Sequence, residues 1–153
     1  MERTLVFVKP DGVNRRLIGK IIQRFEEKGL KIVGLKLIQI SDELAKTHYE
    51  EHEGKPFYEP LVKFVTSGPV ALMVLEGQHA ISTTRNLVGA TFGAEAAPGT
   101  IRGDFGISNR YNLIHASDGP ESAQKEIARF FTDVDIIDWT PIDYPCIDED
   151  TGI

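Results

Sequence analysis

The stretch Asn112–Ser122, NLIHASDGPES, joins a short apolar run, one histidine and a small, polar, proline-marked segment. Asn112, Leu113, Ile114 and His115 read as a short buried strand. Pro120 reads as the first residue of a helix reaching Phe131, because its fixed φ suits that position and the N–H it lacks would go unpaired there. This strand and helix are the last of a series, so they decide how the fold closes. His115 is placed at a strand-to-helix junction, where rigid elements fix the backbone and the turn exposes a side chain. A lone histidine in such a place is more often a satisfied structural residue than a reactive one.

Upstream, TLVFV (Thr4–Val8) is a β-rich run ending in Lys9-Pro10-Asp11-Gly12, a turn in which Pro fixes φ and Gly accepts positive φ. Leu17, Ile18, Ile21, Ile22 and Phe25 recur at helical spacing and Gly29 follows as a C-terminal cap, so an amphipathic helix is expected. Leu30 to Ile40 alternates apolar residues with Lys31, Gly34, Lys36 and Gln39, the pattern of a half-buried strand. Ser41 and Asp42 open a helix expected to carry Leu44, His48 and His52. After the breaker Gly54-Lys55-Pro56 a helix is expected over Phe57 to Val65, ended by Ser67-Gly68-Pro69. VALMVLEG (Val70–Gly77) is a buried strand, and His79 to Val88 a further helix stopping at Gly89. Gly89 to Arg110 has no sustained period and reads as a loop of about twenty residues, a length more often functional than idle. No repeat or low-complexity tract is visible. The order of elements predicts an α+β fold, a ferredoxin-like α/β sandwich with helices covering a four-stranded antiparallel sheet.

The 153 residues fit one domain over 1–153, with an irregular acidic C-terminal segment from about 140 to 153 whose IDEDTGI end reads as a solvated tail. A chain 41% hydrophobic and 26% charged is that of a soluble globular protein. MERTLVFVKP holds an apolar run too short for a signal peptide or a membrane span, so a cytoplasmic protein is expected. Cys146, the single cysteine, excludes an internal disulfide framework and any Cys-based zinc site. A net charge of -6 argues against general attraction to nucleic acid, so an anionic ligand has to be met by a few local cations.

Two motifs point elsewhere and are set aside. HYEEH (His48–His52) matches H-x-x-E-H, two histidines one helical turn apart around a glutamate, as in zinc hydrolases. No later helix offers an obvious carboxylate third ligand, and the chain is short for that architecture. GVNRRLIGK (Gly12–Lys20) has six residues between its glycines where a phosphate loop needs four, and Ile21 follows where Ser or Thr belongs. Any phosphate binding therefore comes from side chains.

GATFGAEAAPGTIRGDFG (Gly89–Gly106) sets Thr91, Thr100 and Arg102 among small residues, with Arg85 one helical turn before it. Arginine's planar donors match phosphate oxygens in pairs. A structural turn with an internal Arg102–Asp104 ion pair is equally consistent with this sequence. Lys9, at a strand end, projects into whatever cleft that edge of the sheet forms, or reaches solvent. Phe57 and Leu61, four apart, could face the core.

VKPDGV, KPFYEPLVKFVTSGPVALMVLEG, GATFGAEAAPGTIRGDFG and NLIHASDGPESA occur in this order and together resemble nucleoside diphosphate kinases from Arg3 to about Trp139. The Asn-x-Ile-His-[Gly/Ala]-Ser-Asp signature is the most specific part. The resemblance implies a kinase that passes the γ-phosphoryl group of a nucleoside triphosphate to a nucleoside diphosphate by a ping-pong mechanism, through a phosphohistidine at His115, with broad base specificity. By similarity, Lys9, Tyr49, Arg85, Thr91, Arg102 and Asn112 line the phosphate and ribose site, Phe57 and Leu61 contact the base, and Ser117 and Glu126 orient the histidine. It also implies Mg2+ held by the nucleotide phosphates and not by protein side chains. The implied partners are nucleoside di- and triphosphates, with no nucleic acid and no membrane, in a homo-oligomer, a homohexamer with Ala90–Asn109 near subunit contacts.

The residue types suit that chemistry. A neutral imidazole has a free lone pair near pH 7, and needs the right tautomer together with donors aimed at the phosphoryl oxygens. Glu126 flanks an apolar arc of Ala123, Ile127, Phe130 and Phe131, so its carboxylate can be partly buried beside the histidine; a solvated surface glutamate is the plainer alternative. Stacking on Phe57 suits broad base acceptance, since every base has a π-face. Three positions depart from the family pattern: Gly119 where Ser is usual, a slightly weaker helix cap, Phe92-Gly93 where Asn-Pro is usual, and Arg110-Tyr111 where Gly-Arg is common.

Overall fold

Each of the four apolar runs becomes a strand of one antiparallel sheet: β1 (Glu2–Val8), β2 (Lys31–Gln39), β3 (Pro69–Gly77) and β4 (Ile114–Ala116), arranged β2-β3-β1-β4 in the computed structural model, which describes residues 1–149. The two central strands are apolar on both faces. Leu5 and Phe7 of β1 face one core and Val6 and Val8 the other, which is why TLVFV is a continuous run and not an alternating one.

Among the described residues seven helices cover the sheet: α1 (Pro10–Asn14), α2 (Ile18–Glu27), α3 (Asp42–His48), α4 (Tyr58–Val65), α5 (Ala80–Val88), α6 (Ile101–Phe105) and α7 (Pro120–Phe130). On one face α2, α5 and α6 supply Ile21, Phe25, Ala80, Val88 and Ile101 against Val6, Val8, Met73 and Leu75. On the other, α3, α4 and α7 supply Ala45, Val62, Val65 and Phe130 against Leu5, Phe7, Leu72 and Val74. The α+β ferredoxin-like sandwich expected from the order of elements is the fold observed.

Several boundaries differ from the sequence reading. Lys9-Pro10-Asp11-Gly12 is not a simple turn but the start of α1, with Pro10 in its first turn. β4 starts at Ile114 and not at Asn112, because Leu113 takes a φ of 74°. That backbone is held by two long-range bonds: Leu113 N–H donates to Asp11 Oδ2 at 3.1 Å, and its carbonyl accepts from Lys9 N–H at 2.8 Å. His115 therefore sits inside the strand, opposite Phe7, and not at its end. His52 is not on α3, which ends at His48; Glu50–His52 is a separate 3-10 turn.

Nor is Gly89 to Arg110 one structureless loop. It contains a 3-10 turn at Gly93–Glu95 and then α6, capped by Thr100, whose Oγ1 accepts from Gly103 N–H at 3.0 Å. The C-terminal segment has 3-10 turns at Asp133–Asp135 and Tyr144–Cys146, and Tyr144 is buried. Positions 150–153 of the expected tail lie outside the described residues.

The starts of α6 and α7 contrast. Gly119 caps α7 in extended backbone, its N–H donating to Ser122 Oγ at 3.0 Å, and a Cβ there meets nothing within 4 Å. At Gly103 a Cβ would lie 2.0 Å from the Ala97 carbonyl oxygen. Gly119→Ser is thus expected to raise the unfolding free energy by about a few tenths of a kcal/mol. Gly103→Ala is expected to lower it by about 1–3 kcal/mol. Urea unfolding of both variants beside the parent chain checks the pair, and equal effects would contradict these two geometries.

Candidate active site

The pairing of β4 with β1 lays the His115 ring over Phe7, with centroids 4.8 Å apart and planes within 25°. α7 then brings Glu126, only 7% exposed, against the imidazole. Glu126 Oε1 makes a short hydrogen bond with His115 Nε2, and Oε2 accepts from Ser117 Oγ at 2.9 Å. A carboxylate only accepts, so the imidazole proton resides on Nε2 and the Nδ1 lone pair is free. The ring remains partly open, at 22% side-chain exposure.

His115 opens on a cleft of about 560 Å³ whose lining includes Tyr49, His52, Arg85, Gly119 and Pro120, with Glu50, Glu51, Asp118 and Glu121 also along it. A second cluster gathers around the same strand. Lys9 Nζ donates to Asn112 Oδ1 at 2.8 Å, and Asn112 Nδ2 donates to the Thr91 carbonyl at 3.0 Å. Arg102 donates to the carbonyls of Asn112 at 3.1 Å, Gly89 at 3.2 Å and Ile114 at 2.7 Å. Arg85 donates to the Ala116 carbonyl at 3.3 Å. The two arginines therefore grip the carbonyls on either side of His115.

These cations crowd one another. Burial, then Arg102, brings the Lys9 ammonium down to about 8, with Asp11 offsetting only part of the shift. Burial, then Arg85, brings Arg102 down to about 10. Cations held together against their own repulsion form a site suited to an anion. The internal Arg102–Asp104 pair does not form: Asp104 pairs with Arg24 and accepts from Gly99 N–H.

Not every expected residue lines the cleft. Lys9, Thr91, Arg102 and Asn112 belong to the second cluster, while Phe57 and Leu61 lie on neither. Phe57 is 48% exposed and edge-on to His52 at 5.2 Å; Leu61 is half-buried against the core. Phe57 is linked to the imidazole only through successive ring contacts, from His52 to Tyr49 at 6.4 Å, to His48 at 4.6 Å and to His115 at 4.7 Å. Tyr49 is buried, its Oη has no hydrogen-bond partner, and burial followed by Glu126 pushes its pKa up.

His48 and Arg129 were not picked out as members of this site. The His48 side chain is 3% exposed, with Nε2 3.9 Å from Glu126 Oε1 and Nδ1 3.0 Å from Arg129 Nη1. Burial, then His115 and Arg129, drives its pKa down to about 2, so the ring is neutral. The available signal was helical spacing: Ala45, His48 and Tyr49 fall on one face of α3, and Ala45 and Tyr49 are core residues. His52 turns away to Lys55 and Glu51. The H-x-x-E-H pair is thereby split.

The departing positions also find places. Gly93 N–H donates to the Ser108 carbonyl at 3.2 Å, and a Cβ at Gly93 would fall 2.6 Å from the Gly106 carbonyl carbon, so this loop conformation is specific to glycine there. Tyr111 is exposed and edge-on to Phe64 at 5.2 Å.

Comparison with known proteins is consistent throughout. The nucleoside diphosphate kinase family model matches residues 2–136. The nucleoside diphosphate kinase of Archaeoglobus fulgidus is 56% identical over 150 residues, covering 98% of this chain and 99% of that protein. That of Carboxydothermus hydrogenoformans is 58% identical over 139 residues, covering 91% and 93%. Among solved structures, a halophilic nucleoside diphosphate kinase from Halobacterium salinarum in complex with CDP superposes with a TM-score of 0.94 at 52% identity, covering 96% of this chain and 98% of that one. With the family model spanning most of the chain and these relatives spanning nearly all of it, the chain belongs to the nucleoside diphosphate kinase family.

Proposed function

We propose that this chain carries the γ-phosphoryl group of a nucleoside triphosphate on His115 Nδ1 and passes it to a nucleoside diphosphate of any base, in a ping-pong cycle. The observation that carries this reading is the Glu126 bond to His115 Nε2, which leaves Nδ1 unprotonated on a ring partly open to the cleft. In the first half-reaction the Nδ1 lone pair forms a bond to phosphorus as the bond to the bridging oxygen breaks, and the diphosphate leaves. In the second, a terminal oxygen of the acceptor diphosphate attacks phosphorus and Nδ1 is released. Glu126, held by Ser117, keeps the attacking tautomer throughout.

Charge spread over the phosphoryl oxygens is met by Lys9, by Arg85, by the Thr91 hydroxyl and Asn112 amide, and by Arg102. Of the five guanidinium N–H groups of Arg102, three are used on carbonyls and two remain. The unpartnered hydroxyl of Tyr49, which also lines the cleft, adds a further donor. Phe57 and Leu61 take the base by apolar contact without reading its edge, which suits broad specificity; the Halobacterium relative solved with CDP supports a nucleotide in this fold.

The donor set bears on Mg2+. The one group of three His or carboxylate ligands close together among the described residues is His48, His115 and Glu126, and two imidazoles are a poor match for that hard ion. The proposed Mg2+ is instead held by the nucleotide phosphates and not by protein side chains. When bound it neutralises phosphate charge.

A homo-oligomer, proposed as a homohexamer with Ala90–Asn109 near its contacts, would cover the outer strand β2, where Leu35 is 56% and Leu37 62% exposed. Residues 1–153 act in this reading as a single domain in the cytoplasm, where its nucleotide substrates are used. No described helix is long and apolar enough to cross a membrane.

ATP and Mg2+ alone are expected to label the chain with an acid-labile, alkali-stable phosphate, and His115→Ala to abolish the label. A folded parent chain that binds nucleotide and never labels would make this a binding protein without turnover. The second prediction concerns pH. Lys9 titrates at about 8, so its positive charge is present below that pH and lost above it. A rate profile of kcat/KM, which reports the free enzyme, is expected to fall on an alkaline limb near 8. Lys9→Gln should remove that limb and lower kcat/KM by about 10–100-fold, the worth of one charge-assisted hydrogen bond.

A further inference from the structure

We propose that Arg129 is a positioning residue that locks His48 in the tautomer whose Nε2 carries the proton, and that it thereby denies a ready-made transition-metal triad its second nitrogen. The protective role assigned to this lock rests on the reading of His115 as the phosphate carrier.

His48, His115 and Glu126 place one ligand atom each within 4.8 Å of one another, a two-imidazole, one-carboxylate set of the kind zinc favours. A metal ion there would displace the His115 Nε2 proton, which can move to the free Nδ1, and would so take His115 and Glu126, the two groups that the proposed reaction uses. A guanidinium has only N–H groups, so His48 Nδ1, 3.0 Å from Arg129 Nη1, must act as the acceptor. A neutral imidazole has one proton, and it is left on Nε2, the nitrogen facing Glu126 Oε1 at 3.9 Å. That nitrogen then has no lone pair for a metal.

To bind one, His48 would have to move its proton to Nδ1, setting an N–H against the Arg129 N–H on a side chain that is 3% exposed. The fixed positive charge of Arg129 further disfavours a second cation. The same lock aims an N–H at Glu126, alongside the donors from His115 and Ser117. His48 thus serves as a wall of the site that turns an N–H towards Glu126 and binds no metal.

The test uses the full chain, stripped of metal, with 15N-labelled histidine and His48→Gln to assign the signal among the four histidines. Long-range 1H–15N correlation spectra of the parent chain are expected to show His48 protonated on Nε2, and Arg129→Lys, which keeps a donor, to preserve that tautomer. Arg129→Met, which keeps a long side chain without donors, is expected to bind Zn2+ at least tenfold more tightly in a competitive chelator titration. Its phosphate labelling should become zinc-sensitive, and adding His48→Gln should reverse both changes. A parent His48 protonated on Nδ1 would overturn the proposal, and this result needs no Arg129 variant to fold. So would an Arg129→Met chain that folds and binds Zn2+ no better than the parent. A parent chain that never labels would instead remove the phosphate-carrier reading while leaving the tautomer and the zinc affinities to decide this one.

Discussion

The carboxylate of Glu126 is the point on which the site depends. It is 7% exposed, and a buried carboxylate without partners would cost on the order of several kcal/mol, so the surrounding structure has to supply donors. His115 Nε2 and Ser117 Oγ bond to its two oxygens, and His48 Nε2 faces one of them. These groups come from β4, the residue following it and α7, and from α3 far upstream, and they meet on one face of the sheet. The meeting is enforced by packing: Phe7 under the His115 ring, Ala45 on α3, and Ala123 and Phe130 on α7 are all buried. Satisfying one buried charge therefore sets the tautomer of the group that faces the cleft.

The second constraint is the positive charge gathered around β4. Burial, and then repulsion among Lys9, Arg85 and Arg102, lowers Lys9 and Arg102, yet the fold holds them close because Arg102 and Arg85 also bond the carbonyls of Ile114 and Ala116. One set of side chains thus fixes the backbone of the imidazole and presents charge beside it. This pairing of structural and electrostatic tasks explains why Arg102 is buried while most of the chain's cations are at the surface.

What could be read from sequence follows period and length. The long elements were legible because α2, α4, α5 and the strands β1, β2 and β3 carry enough residues to show a spacing. α6, at five residues, is too short to show one. The displacement of β4 was hidden because it depends on Leu113 adopting a left-handed conformation held by Asp11, a partner about a hundred residues away. His115, Glu126 and Ser117 were found through their place in a motif, not through periodicity, and the structure brings these three together. The spacing of His48 to His52 resembles a metal pair, whereas the break after α3 puts the two rings on separate elements with different partners. Arg129 carried no local signal, since its partner lies 81 positions away.

The central claim is that the hydrogen bond between Glu126 and His115 Nε2 leaves Nδ1 as the atom that takes the phosphoryl group. The most direct measurement is 31P and 15N correlation NMR of the labelled chain unfolded in alkali, where the phosphohistidine persists. Phosphorus coupled to Nδ1 of His115 is the predicted result; phosphorus on Nε2, or on another residue, would contradict it.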